Sequence, residues 1–261
     1  MPVTANPAFV EEPPLRRIAK VVVVLPAYRA AKTLEATVRA VPTDFKCEFL
    51  LVDDHSPDDT LQAAQRLGIK AVRHEQNLGY GGNQKTCYRL ALEMGADIVV
   101  MLHPDYQYDP RVLPAMVEFL RLNICDVVLG SRIRSRREAV ACGMPAWKYV
   151  ANRILTVTEN VVLGQNLGDF HTGYRAYARE VLERMPWQAN SNDFVFDSQF
   201  LAQVAFYRFR MSDVPVPCRY FKEASSINFR RSSRYGLLTL WTLWLYVLAK
   251  VGIYRARIFR G

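Results

Sequence analysis

Acids, an aromatic ring and an arginine recur in this chain just after short β-branched runs. Leu25-Pro26-Ala27-Tyr28 closes one run and Val52-Asp53-Asp54-His55-Ser56-Pro57-Asp58 a second. His103-Pro104-Asp105-Tyr106-Gln107-Tyr108-Asp109-Pro110 closes another, and Gly130-Ser131-Arg132 the next. Asp105 and Gln107 supply oxygen ligands two residues apart on an extended segment, which suits a hard divalent cation that also takes diphosphate oxygens. Such a cation offsets the charge that develops when a diphosphate departs. Each group has a plainer reading by itself. Asp53 or Asp58 would cap a helix, Tyr28 would be core, and Asp105 would be a turn residue before Pro110. Taken together, the four strand ends point to a ligand crevice.

Those ends meet only if the runs are neighbouring parallel strands. Residues 19–28 form a nearly continuous β-branched run, as a strand covered on both faces requires. Residues 30–41 read as a helix and 47–54 as a strand. Residues 56–68 open with a helix-start signal, Ser56 as N-cap and Pro57 at the first position. A short strand (69–74), a glycine-led helix (79–95), a strand (96–102), a helix (110–122) and a strand (125–132) follow. This alternation predicts a mostly parallel α/β sheet with right-handed crossovers and its crevice beyond the carboxyl ends of the strands. Past Arg132 come a basic loop (131–145), a helix (146–164), a compact Asp-Phe-His-Thr-Gly-Tyr-Arg segment, a helix near 194–206 and a strand near 209–221.

Composition sets the class. The chain has 261 residues, half of them apolar and 23% charged, which excludes a disordered, collagenous or disulfide-scaffold protein. Cys47, Cys87, Cys125, Cys142 and Cys218 are widely spaced, with neither a CxxC nor a zinc pattern, so they read as reduced thiols of a cytosolic protein. No GxGxxG follows the first strand and no P-loop is present. The acids would therefore hold base and ribose, without a glycine cradle for the phosphates.

Of the net charge of +9, nine Lys/Arg against the single acid Glu223 lie in 219–261, so the body is nearly neutral and the tail strongly basic. Residues 235–249 carry no charge and include Trp241, Trp244, Tyr235 and Tyr246, with Tyr254 beyond. Arg230, Arg231 and Arg234 flank this stretch on one side, and Arg255, Arg257 and Arg260 on the other. It falls short of the ~20 residues a spanning helix needs. An interfacial or partly inserted helix on an anionic membrane fits best. A core helix or dimer contact is the plainer alternative. The Trp/Leu content suits lipid rather than a nucleic-acid backbone. The chain accordingly divides into a flexible lead-in (1–17), a catalytic domain (18–229) and a basic, aromatic tail (230–261).

The segments LPAY, VDDHSPDDT, NLGYGGN, HPDYQYDP, GSR and DFHTGYR stand in the order found in family 2 glycosyltransferases of the GT-A fold. Over residues 18–235 the chain most resembles the dolichyl- or polyprenyl-phosphate mannose/glucose synthase branch. The resemblance implies that Pro26, Ala27 and Tyr28 line the base site, that Asp54, with Asp53 beside it, binds base or ribose, and that Asp105 and Gln107 bind metal and diphosphate. It implies that Arg132 and Lys148 approach an acceptor phosphate. Arg230 and Arg231, with Ser225 and Ser226, fall where the family has a basic loop over the diphosphate. The Asp169–Arg175 segment would lie near the donor sugar. The family's usual Asp-x-Asp is here His103-Pro104-Asp105. A histidine ligand favours Mn²⁺ over Mg²⁺; otherwise Asp105 and Gln107 hold the cation and His103 packs beneath the loop. The usual Asn-Glu after the first-strand tyrosine is Arg29-Ala30, which loosens the base preference.

The expected reaction is transfer of a hexose from a UDP- or GDP-sugar with inversion. A polyprenyl phosphate acceptor is already an anion and needs no strong base; catalysis then rests on positioning and on stabilising the departing diphosphate. Arg132, Arg134, Arg136, Arg137, Lys148 and Arg153 supply the cation density for such an acceptor, or else form a solvated basic loop. A hydroxyl of a glycolipid or polysaccharide would need a carboxylate base, for which Asp169 and Asp197 are the candidates. Asp197 sits among apolar neighbours in sequence, where burial would raise its pKa. The other alternative is an inactive nucleotide-sugar-binding protein. The expected location is the cytoplasmic membrane surface, peripheral or monotopic.

Overall fold

The computed structural model describes residues 14–133, 144–219 and 229–260, with Phe229 and Arg230 in backbone only. Arg134, Arg136, Arg137, Cys142, Ser225, Ser226 and most of the lead-in fall outside the described residues.

One sheet of seven strands runs β3-β2-β1-β4-β6-β5-β7. The strands are β1 (Val21–Ala27), β2 (Glu48–Asp53), β3 (Lys70–Arg73), β4 (Ile98–Met101), β5 (Val127–Ser131), β6 (Arg175–Ala178) and β7 (Met211–Pro215). β1 is parallel to β2 and β4, β2 to β3, and β5 to β7. The helices are α1 (Leu34–Arg39), α2 (Thr60–Arg66), α3 (Tyr80–Glu93), α4 (Leu113–Arg121), α5 (Ala146–Leu163), α6 (Arg179–Arg184), α7 (Phe196–Phe206) and α8 (Phe229–Lys250).

The β1 valines show why the sheet is buried on both faces. Val22 and Val24 join one core cluster with Leu50, Val99 and Tyr88. Val21, Val23 and Leu25 join the other with Leu51, Val100 and Leu113. Side chains alternate across a strand, so a run of apolar residues fills both layers. Register then aligns the strand ends: Ala27 lies opposite Asp53, and Val24 opposite Met101.

Three sequence expectations need correction. The expected order omits β6, which enters between β4 and β5 antiparallel to both. It carries Arg175 and Tyr177 and is only four residues long, so it gives no hydrophobic run. Its reversed direction delivers residues 169–174 to the carboxyl ends of β4 and β5. Ser56 is not a helix cap. Its N–H donates to Asp53 (3.0 Å) and its hydroxyl accepts from the Arg29 N–H (2.9 Å), while α2 begins at Thr60 behind Asp59. The helix expected over 110–122 opens with a 3-10 turn, Pro110–Val112, and becomes α-helical at Leu113.

The tail is not a detached appendage. α8 packs on α7 and α5. Its Leu243 and Tyr246, and beyond it Ala256, Ile258 and Phe259, join the core cluster. Among the described residues no helix is long and apolar enough to cross a membrane. Cys47, Cys87 and Cys125 are free thiols.

Candidate active site

A cleft of about 1060 Å³ opens above the carboxyl ends of β1, β2 and β4 and is walled by α5 and the start of α8. Pro26, Ala27, Tyr28, Asp54, His103, Asp105, Gln107, Arg132, Lys148, Asp197 and Arg231 all line it. Asp53 and Asp169 lie behind its wall, fully buried. Arg230 falls in the first turn of α8, and its side chain is outside the description.

On the β1–β2 side, Tyr28 is half exposed. Arg29 adopts φ +57° and places its guanidinium 5.4 Å from the Tyr28 ring centre. Asp54 is already well supplied with donors: His74 Nδ1 at 2.8 Å and the N–H groups of Leu78 and Gly79 at 2.8 and 3.0 Å. Its carboxylate fixes the loop that leads into α3. Asp53 accepts from the Ser56 N–H and lies 3.5 Å from Arg73. Glycine is needed where α3 starts, because a Cβ on Gly81 would strike Ser191 O and one on Gly79 would strike Asn192 O. The Gly81 N–H instead donates to Asn192 O (2.8 Å), so protein backbone occupies this helix start.

After β4 the chain turns sharply, with Tyr106 at φ +57°. Asp105 Oδ1 accepts from the Gln107 N–H at 3.2 Å, and Thr33 Oγ1 donates to Pro104 O at 2.6 Å. These bonds set Asp105 and Gln107 side by side on the cleft wall. One carboxylate and one amide oxygen fit a hard cation. Among the described residues no group of three or more His, Cys, Asp and Glu surrounds a single point. A cation here would thus complete its shell with ligand oxygens. His103 is differently placed. Its ring stacks on Tyr80 (centroids 5.5 Å apart), its Nε2 lies 3.2 Å from the Tyr80 hydroxyl, and a Cβ on Gly173 would run into it. Burial lowers its pKa, against the pull of Asp105 and Asp197.

Beneath this ring lies a polar cluster. Asp197 Oδ1 accepts from Arg175 Nη1 and Gln84 Nε2, each at 3.1 Å, and its Oδ2 accepts from the Tyr80 hydroxyl at 2.8 Å. The apolar surroundings expected for Asp197 are therefore absent, because β6 brings a fully buried guanidinium against it. Arg175 also donates to the carbonyls of Thr172 and Phe170. Phe194 stacks on the other side of Tyr80, with centroids 4.7 Å apart.

On the third side, Arg132 Nε donates to Asp169 Oδ2 (2.8 Å) and its Nη2 to Asp169 Oδ1 (3.2 Å) and His171 O (2.5 Å). Asn152 Nδ2 and the His171 N–H complete the shell of Asp169, at 2.9 and 3.0 Å. Burial alone would raise the pKa of Asp169, but the guanidinium of Arg132 outweighs it and holds the carboxyl well below its usual range. Lys148, one turn before Asn152 on α5, also lines the cleft, its pKa lowered by burial and then by the nearby Arg132. His171 continues the network outward, with Nε2 3.1 Å from Glu159 Oε2 and Nδ1 2.8 Å from the Tyr235 hydroxyl of α8. That hydroxyl lies 2.9 Å from Ser198 Oγ. Burial disfavours the imidazolium, yet Glu159 overcomes it and raises the His171 pKa.

Tyr80, Asn152 and Tyr235 thus help build the site without having been singled out for it, and His171 and Arg175 do so from the Asp169–Arg175 segment expected near the donor sugar, without individual roles. Tyr80 stood in NLGYGGN, read as a helix start and as one of the segments of the resemblance but given no role, and Asn152 carried no charge or motif. Arg175 closed the Asp-Phe-His-Thr-Gly-Tyr-Arg segment, and its charge within an otherwise buried stretch was the available signal.

Known proteins are similar to this chain in sequence and in fold. The "Glycosyl transferase family 2" model matches residues 22–185. A UDP-N-acetylglucosamine–dolichyl-phosphate N-acetylglucosaminyltransferase from Methanococcus voltae is 26% identical over 76% of this chain and 84% of its own length. An undecaprenyl-phosphate mannosyltransferase from Micrococcus luteus is 28% identical over 76% of this chain and 82% of its own. In fold, the chain is similar to glucosyl-3-phosphoglycerate synthase from Mycobacterium tuberculosis crystallised with UDP, with TM-score 0.66 and 22% identity over 91% of this chain and 82% of that one. The same enzyme has been crystallised with Mn²⁺ and UDP-glucose, where the TM-score is 0.65. The mostly parallel α/β sheet is of the GT-A type, and the chain belongs to glycosyl transferase family 2: it is a glycosyltransferase.

Proposed function

We propose that the chain transfers a hexose from a UDP- or GDP-sugar to a polyprenyl monophosphate, dolichyl or undecaprenyl, at the cytoplasmic face of a membrane. The observation that carries this reading is the pairing of both candidate bases with arginine. Asp169 is bidentate to Arg132 and Asp197 is ion-paired with buried Arg175. Arg132 holds Asp169 ionised and makes it a poor proton acceptor, and both carboxylate oxygens of Asp197 already accept hydrogen bonds, from Arg175, Gln84 and Tyr80. The same cleft carries Arg132, Lys148, Arg231 and Arg234. Cations beside arginine-paired carboxylates suit an acceptor that is already an anion. The phosphate-acceptor names of the two relatives agree with this reading.

Tyr28 and the Asp54 loop would face base and ribose. Asp105 and Gln107 would hold a divalent cation, Mg²⁺ or Mn²⁺, and it would supply charge neutralisation for the leaving diphosphate. Arg132, kept in one orientation by Asp169 and the His171 carbonyl, would orient the acceptor phosphate for in-line attack on the anomeric carbon, and Lys148 beside it would add to the neutralisation. The basic, aromatic tail would keep the cleft near anionic lipid, each cation near the surface adding about 1 kcal/mol.

The test uses purified full chain, Mn²⁺ or Mg²⁺, a panel of radiolabelled UDP- and GDP-sugars, and undecaprenyl phosphate offered beside a hydroxyl-bearing glycolipid and a polysaccharide. Label passing to the organic phase in an alkali-stable, acid-labile product supports the reading. Label passing only to a hydroxyl-bearing glycolipid or polysaccharide overturns it.

A further inference from the structure

His171 is held at both ends. Its backbone belongs to the site: the N–H donates to Asp169 Oδ1 (3.0 Å) and the carbonyl accepts from Arg132 Nη2 (2.5 Å). Its ring belongs to the helices: Nε2 lies 3.1 Å from Glu159 Oε2 of α5, and Nδ1 2.8 Å from the Tyr235 hydroxyl of α8. Tyr235 meets the imidazole edge-on, with centroids 5.4 Å apart and planes at 82°. The Tyr235 hydroxyl reaches on to Ser198 Oγ of α7 (2.9 Å), and Ser198 to Thr239 Oγ1 (3.0 Å), one turn further along α8. One residue thus links the Arg132–Asp169 pair with three helices. Arg231 and Arg234, in the turn before Tyr235, line the same cleft as Arg132.

The charges around the ring favour one protonation state. Glu159 is buried, and among the described residues His171 is the one group able to carry positive charge within ion-pair distance of it. The other charged groups facing the ring are Asp169 from its own segment and Arg132 from the end of β5, and these two pair with each other. A buried carboxylate without a partner is costly, so the Glu159–His171 pair retains a proton. The imidazolium donates from both nitrogens. Nδ1–H then points to the Tyr235 oxygen, and Tyr235 passes its own proton on to Ser198. Burial, with Glu159 next, keeps that hydroxyl protonated. A neutral ring would keep Nε2–H, accept at Nδ1 and reverse the chain, exchanging a charge-assisted bond to Tyr235 for a neutral one.

We propose that His171 is a positioning residue for the transfer reaction: its backbone orients Arg132 while its ring, through Glu159 and Tyr235, fixes the start of α8, so that Arg132 and the cations of α8 converge on one anionic group. That this group is an acceptor phosphate rests on the reading above; the clamp itself does not. Glu159 raises the His171 pKa against burial, so the clamp is complete in mild acid and loosens as pH rises through the folded-state value.

The experiment uses full-length protein. Tyr235→Phe keeps the ring and removes the bond to Nδ1; His171→Gln removes the charge; thermal melts check that both fold. Titration calorimetry with inorganic phosphate, in the presence of UDP and Mn²⁺, should show binding weakened about three- to tenfold in Tyr235→Phe, and by more in His171→Gln. With farnesyl phosphate as acceptor, both changes should raise KM and leave kcat within about twofold. The ratio of KM in His171→Gln to KM in wild type cancels the titration of the phosphate itself. That ratio should be largest near about pH 6 and fall toward one as pH rises. Added to Arg231→Gln, Tyr235→Phe should cost less than it does alone, since both changes act on the same cation. Variants that melt lower but bind phosphate as wild type does would make the network structural only and overturn the proposal. So would a wild type that binds no phosphate, a KM ratio independent of pH, or full additivity with Arg231→Gln. Weaker phosphate binding in the variants, with no isoprenyl phosphate accepted by wild type, would keep the clamp and remove the proposed function.

Discussion

Replacing Asp169 with asparagine separates a base from a positioning carboxylate. The change keeps the shape and removes the charge. Asp169 is fully buried and takes two bonds from Arg132, one from Asn152 and one from the His171 N–H. Asparagine removes the charge that Asp169 sets against the largely buried Arg132 guanidinium and turns an acceptor into an NH₂ among donors. Breaking a buried pair from one side costs about 3–5 kcal/mol. At about 2–4 °C per kcal/mol this is a fall in Tm of roughly 6–20 °C. The pH dependence carries a sign. The folded-state pKa is depressed, so the contribution of Asp169 is complete above about pH 4 and is lost as pH falls below that. Calorimetric stability curves of wild type and variant should therefore converge in acid. Below its Tm the variant should lose activity chiefly through a higher KM for the acceptor. Arg132→Met together with Asp169→Leu should recover most of the stability and none of the activity. The reasoning is refuted if Asp169→Asn melts within about 0.5 kcal/mol of wild type while kcat falls by the 10²–10⁴-fold, roughly, that loss of a general base produces.

Titration calorimetry with UDP and Mn²⁺ should show Asp105→Asn weakening cation-dependent binding at least about tenfold, with His103→Gln within about threefold; the reverse order would make His103 the ligand. Gly173→Ala should destabilise by about 1–3 kcal/mol in urea, because its methyl meets the His103 ring, and His103→Ala in the same chain should relieve part of that loss; equal stability of wild type and Gly173→Ala would contradict the packing. His171 has its pKa raised by Glu159 against burial, so its contribution is complete below about pH 6.5 and declines as pH rises through the folded-state value. His171→Gln should flatten the stability profile on that alkaline side, and an unchanged profile would show that the pair does not form.

The strands and their chemistry were legible because hydrophobic period is a local property. Val21 to Ala27, the run through Val52 and the run through Met101 each announce a buried strand, and each is followed by polar residues at its carboxyl end. Parallel pairing then leaves the strand-end residues Tyr28, Asp54 and Asp105 no place but one crevice. The uncharged stretch of α8 was equally plain as a helix, but which of its faces would meet the protein was not.

Four-residue β6 could not be read, since its arginine and tyrosine break any apolar run and its partners lie far away in sequence. With β6 goes the character of the site. Asp197 looked like a lone carboxylate among apolar residues until Arg175 was set against it, and Tyr80 reaches it across 117 residues of chain. Residue types and spacing determined the fold class, the location of the crevice and the pair of oxygen donors Asp105 and Gln107. Tertiary structure alone decided which carboxylates are paired with arginine, that the His103 ring is wedged between Tyr80 and Gly173, and that α5 and α8 leave apolar residues such as Ile154 and Trp241 exposed. The reason is physical: burying a polar group needs a partner, and the partner is supplied by whichever distant segment the sheet order brings beside it.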